Sequence, residues 1–149
     1  MADSLPEGQG LIYDKAKNHF QGKFPEILPI EQAYVHIGMY LGWIITRELY
    51  STYFEEEAET QIFRFLRREM QCTILSEVWD GYLGPELFND EANAFTVEYY
   101  QGGDYLKDYQ EVLVKDLPSV YHVSDTWENF DLLCDRLNQR FTEWQQHKK

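Results

Sequence analysis

The chain has 149 residues, 44% of them apolar and 16% aromatic, which suffices for one domain with its own hydrophobic core and is too apolar for a disordered polymer. Its formal net charge of −13 repels nucleic-acid phosphates and anionic membrane, and no uncharged apolar run reaches the roughly 20 residues that a bilayer crossing needs. Direct binding to nucleic acid or membrane is therefore not expected.

The first ten residues, MADSLPEGQG, carry neither a basic start nor an apolar stretch, so they read as a flexible tail without a secretory signal, ahead of a single domain over 11–149. Gly22, Pro25 and Pro29 then punctuate an irregular or partly helical segment. A helix is predicted from about Ile30 to Tyr50. Its stretch QAYVHIGMYLGWIIT is uncharged and apolar nearly all round, as suits the centre of a bundle. Gly38 and Gly42 lie four apart on one face, where a neighbouring backbone or aromatic ring can approach closely. A second helix is predicted from near Glu55, acidic early and basic at Arg64, Arg67 and Arg68, with a break near Cys72, until Gly81 and Gly84-Pro85 stop it.

Asn89 is an N-cap candidate for a helix to about Tyr100, ended by Gly102-Gly103, and Asp104 can cap another to about Lys115. The last helix is the clearest element. Asp125 with Glu128 resembles a capping box, and Trp127, Phe130, Leu133, Cys134, Leu137, Phe141 and Trp144 then step by threes and fours along one face. No run shows a strand pattern. The expected architecture is all-α, a compact single-domain helical bundle around a central apolar helix.

Chemistry is harder to find. No zinc-protease helix, nucleophile elbow, phosphate loop or dinucleotide fingerprint is present, and none of His19, His36, His122 and His147 has another histidine three to five residues away. Cys72 and Cys134 match no metal or redox spacing and read as reduced thiols of a cytoplasmic protein. No catalytic residue, metal ligand or cofactor is assigned. His36, among aromatic residues, reads as a buried hydrogen-bonded side chain. A long-range cluster of His19, His36, Asp14 and Asp80 stays open, and with it the alternative of a small metal-binding protein or enzyme around His36.

The acid is concentrated. Between Glu77 and Asp131 there are thirteen Asp plus Glu against Lys107 and Lys115, a net of −11. The segment EYYQGGDYLKDYQE interleaves tyrosines with acids more densely than a core requires. Tyrosine gives contact area at low entropic loss and carboxylates steer a basic partner, so a protein-binding face is expected over Asp80, Glu86, Asp90, Glu91, Glu98, Tyr100, Asp104, Tyr105, Asp108 and Glu111.

The segments YDKAKNHFQGKFP, HIGMYLGW, YLKDYQEV and LPSVYHVSDTWENFD resemble a family of small acidic bacterial proteins of unknown function, over roughly residues 13–131. Phe130 stands where that pattern suggests tyrosine. Such proteins are similar in size and acidity to immunity partners of polymorphic or secreted toxins. The resemblance implies a cytoplasmic immunity protein, monomeric or weakly dimeric. It would occlude the active site of a cognate basic toxin domain acting on nucleic acid or nucleotides, and do no chemistry itself. The resemblance brings no functional residue set.

Overall fold

A computed structural model describes residues 12–147 except Lys23. The expected flexible tail over 1–10 lies outside the described residues. The chain forms one mainly helical unit, in the order β1 (Asp14–Lys15), α1 (Ala16–Phe20), α2 (Val35–Thr46), α3 (Thr52–Glu57), α4 (Glu59–Leu66), α5 (Cys72–Val78), β2 (Tyr82–Leu83), α6 (Asp90–Tyr99), α7 (Asp104–Tyr109) and α8 (Trp127–His147). No described helix is long and apolar enough to cross a membrane.

The apolar stretch is the central element, with every residue of α2 from Val35 to Ile45 buried. Its glycines face two different neighbours. A Cβ at Gly38 would collide with the Cys72 carbonyl oxygen at the start of α5, and one at Gly42 would lie 2.5 Å from the Phe65 ring of α4 and 3.0 Å from Phe130 of α8. Three helices can close on α2 because these two positions lack side chains. The predicted N-terminal end differs in form: Ile30–Tyr34 is a 3-10 turn, and the chain leaves the helix after Thr46, with Glu48 at φ 55°.

The second predicted helix is three short ones. Ser51 caps α3 by accepting from the Phe54 amide at 3.0 Å, buried Ala58 breaks the run, and Arg68 at φ 60° turns the chain before α5. Asn89 caps α6 as expected, accepting from the Ala92 amide at 2.8 Å. Gly103 at φ 95°, not Asp104, occupies the cap position of α7, which continues into a π-helical turn over Gln110–Val114.

The last helix buries Phe130, Leu133, Leu137 and Phe141, the face read from its spacing. Its cap is Thr126, whose hydroxyl accepts from the Asn129 amide at 3.1 Å. Asp125 serves a different helix: its carboxylate accepts from the Thr73 amide at 2.8 Å and caps α5. The two-residue antiparallel pairing of β1 with β2 was not legible as a strand pattern, and both partners are too short to show alternation. Among the described residues Cys72 and Cys134 are free thiols, the first buried and the second half-buried.

Candidate functional site

The tyrosines expected on a binding face are core. Tyr105 is fully buried, stacked on Tyr100 with ring centroids 4.7 Å apart, and its hydroxyl donates to the His36 carbonyl at 2.6 Å. Tyr99 and Tyr109 are buried as well. Tyr100 and Tyr105 therefore cannot act as surface contacts. α6 and α7 turn their tyrosines inward against α2, so the alternation of tyrosine with acid marks two half-buried helices and not one exposed surface.

Asp108 also leaves the exposed set. Its carboxylate is buried and accepts from Tyr99 Oη at 2.6 Å, Arg136 Nη1 at 2.8 Å, Arg140 Nε at 2.9 Å and Arg140 Nη2 at 3.0 Å. Burial raises its pKa, but hydrogen bonds from Arg140, Tyr99 and Arg136 outweigh that and hold it below the ordinary carboxylate value. Because the folded value is depressed, the unfolded chain takes up the proton first as pH falls. The stabilisation is present above the unfolded pKa of about 3.9 and is lost below it. Asp108→Asn is expected to lower stability by about 2 kcal/mol at neutral pH, since each arginine keeps a second carboxylate, Glu111 or Glu143. Urea midpoints measured from about pH 6 down to about pH 2 should show the gap between the two proteins closing.

The remaining predicted contacts separate into groups. Asp80 is exposed and, with half-buried Glu86, lines a depression that also holds Lys15, Tyr53 and Trp79; Glu86 accepts from the Tyr82 hydroxyl at 2.8 Å. Asp90 and Glu91 are exposed in the first turn of α6, Glu91 accepting from Gln145 at 2.9 Å. Exposed Glu98, Asp104 and Glu111 line one cleft of about 590 Å³ between α6, α7 and α8, joined there by Glu143, Lys107, Arg140 and the rings of Phe95 and Trp144.

A second constellation forms where the sequence left a question. Asp14, His19 and His36 converge, whereas Asp80 does not join them. Each comes from a different element. Asp14 is fixed by β1, where the Tyr13 amide donates to the Leu83 carbonyl at 2.8 Å. The Ala16 amide donates to Gly81 O at 2.8 Å, and Ala16 packs against Gly81, whose φ of 63° and missing side chain permit the approach. That contact starts α1, and one turn later comes His19. His36 sits in the first turn of α2, which Tyr105 holds through its carbonyl.

His19 Nε2 lies 2.6 Å from Asp14 Oδ1, His36 Nε2 lies 3.2 Å from Asp14 Oδ2, and the two Nε2 atoms are 3.3 Å apart. The Tyr100 hydroxyl donates a short hydrogen bond to Asp14 Oδ2. The Tyr121 hydroxyl meets His19 Nδ1 at 2.7 Å, held from behind by Gln32, whose amide donates to the Tyr121 carbonyl at 2.8 Å. Burial raises the Asp14 pKa, but hydrogen bonds from His19 and His36 dominate and keep it ionised, well below the usual range. Burial lowers the His36 pKa against the pull of Asp14, and burial plus Asp14 raise that of Tyr100 far above its normal value. The centre is one carboxylate, two imidazoles and two protonated phenols. His36 is buried and hydrogen-bonded, as expected from its sequence surroundings. Tyr121 carries no local signal, because its link to His19 spans 102 positions.

A family model described as a domain of unknown function, DUF7832, matches residues 12–123. The chain belongs to that family. Asp14, His19, His36, Tyr100 and Tyr121 all fall in the matched span, and α8 lies beyond it. No curated protein and no solved structure matches the chain.

Proposed function

We propose that this member of DUF7832 is a cytoplasmic immunity-type protein that binds a basic bacterial toxin domain and occludes its active site. The observation that carries the reading is the cleft between α6, α7 and α8, where Glu98, Asp104, Glu111 and Glu143 surround the apolar faces of Phe95 and Trp144. Carboxylates in a concave, partly apolar site strengthen attraction for a lysine or arginine side chain. The positive groups already in the cleft are engaged: Arg140 pairs with Asp108 and Glu143, and Lys107 lies 3.9 Å from Asp104. The chain's net charge of −13 adds long-range steering toward a basic surface. A partner whose own ligand is anionic, a nucleic acid or nucleotide, presents the surface this cleft complements.

The contact set expected from sequence contracts accordingly to Glu98, Asp104 and Glu111, with Glu143 and Trp144 added. Affinity purification of the tagged chain from its native host at low salt is expected to bring down a basic protein at one to one, released as salt rises. The same capture by a chain carrying Glu98→Lys, Asp104→Lys and Glu111→Lys would refute the cleft as the contact.

A further inference from the structure

Beyond any partner, we infer that Asp14, His19 and His36 form a binding site for a first-row divalent metal ion of the zinc type. Their ligand atoms all lie within 4.8 Å of one another. A zinc ion about 2.05 Å from each of its ligands in a tetrahedron sets those ligands about 3.3 Å apart. The two Nε2 atoms, 3.3 Å apart, and His36 Nε2 with Asp14 Oδ2, 3.2 Å apart, already have that value. His19 Nε2 meets the other carboxylate oxygen, Asp14 Oδ1, at 2.6 Å, a hydrogen-bond length, and a turn of the carboxylate that opens this contact lets Oδ2 take the third ligand position.

The donor chemistry agrees. Two imidazoles and one carboxylate suit zinc and its first-row neighbours, and the ionised Asp14 supplies the one negative charge. Without an ion, both Nε2 atoms must carry protons to donate to the one carboxylate, and Tyr121 then donates to His19 Nδ1. With an ion, the protons move to Nδ1, and His19 donates to the Tyr121 oxygen in the same geometry. For His36, no hydrogen bond fixes the far nitrogen: Nδ1 has no partner among the described residues. The His36 proton is held at Nε2 only by the 3.2 Å bond to Asp14, the contact an ion would replace, and no bond at Nδ1 opposes its move there.

The surroundings supply the rest of a metal centre. Tyr121 orients His19, and Tyr100 engages Asp14, so two of the three ligands have an outer hydrogen-bonding partner. His19 and Asp14 are 18% and 11% exposed, whereas His36 is 1% exposed, which gives an ion a way in from the α1 side. Three protein ligands leave a fourth position for water or a bound molecule, the arrangement of open zinc sites.

The test uses the full chain stripped with chelator and titrated with zinc chloride by calorimetry. One-to-one binding is expected, with Co²⁺ in place of zinc giving the visible absorption of a four- or five-coordinate ion. His19 is the deciding ligand because it is partly exposed on α1, so His19→Gln should keep the fold. It should lose binding beyond the roughly 10–100-fold that loss of an outer partner brings, while Tyr121→Phe should weaken binding about 10-fold. His122→Gln, at a histidine bonded to Ser119 outside the cluster, should bind as the parent does. Absence of stoichiometric binding at micromolar metal would leave only a hydrogen-bonded cluster and overturn the inference. Undiminished binding by folded His19→Gln would overturn it equally.

Discussion

Gly38→Ala is expected to lower the stability of the chain by about 3 kcal/mol or more, although alanine favours a helix over glycine by about 1 kcal/mol. The added methyl would meet the Cys72 carbonyl oxygen, with the Ser76 Cβ 3.2 Å away. That oxygen belongs to the backbone at the start of α5 and cannot turn aside like the end of a flexible side chain. To make room, α5 must move away from α2. Asp125, which caps α5, and the aromatic packing around α2 would be disturbed with it. A substitution of Val97, exposed on α6, by alanine serves as the control for helix propensity. Urea denaturation of both variants checks the expectation, and a stabilised Gly38→Ala protein would mean that α2 and α5 are not in contact there.

Tyr105→Ala is expected to be comparably damaging, by about 4 kcal/mol, and to act on folding and not on binding. The ring is fully buried among Tyr40, Tyr99, Tyr100 and Tyr109. Removing it opens a cavity and leaves the His36 carbonyl without its donor. Tyr105→Phe keeps the ring and loses only that hydrogen bond, so about 1–2 kcal/mol should go. Thermal or urea unfolding of the pair separates packing from hydrogen bonding. A Tyr105→Ala protein of unchanged stability would return this residue to the surface.

Both predictions rest on features with different visibility in the sequence. The glycines of α2 are four apart in an uncharged helical run, a pattern that points directly to close approach by neighbours; the structure supplies a backbone for one and two aromatic rings for the other. The face of α8 and the Asn89 cap were legible for the same reason, since their signals are local. The role of Asp125 is not legible locally, because a capping residue looks alike whether it serves its own helix or one 52 positions away. The facing of the segment from Tyr99 to Tyr109 is not legible either, because composition alone does not show which way a short helix faces. There Tyr99, Tyr105 and Asp108 point into the protein, while Glu98 and Asp104 remain outside. The Asp14–His19–His36 centre has no motif at all. His36 is 22 positions from Asp14, and only the pairing of β1 with β2 and the turn of α1 bring the first two ligands to it.

The cleft and the histidine centre make separate claims on separate residues, so failure of one leaves the other standing. The most direct measurement of the proposed function is the association rate with the co-purified partner across a salt series, for the parent chain and for the Glu98→Lys, Asp104→Lys, Glu111→Lys protein of verified fold. The parent is expected to associate fast at low salt and to slow steeply as salt rises; the reversed protein should start at least about 10-fold slower and lose most of that dependence. Equal rates and equal salt slopes in the two proteins would mean that the cleft is not where the partner binds.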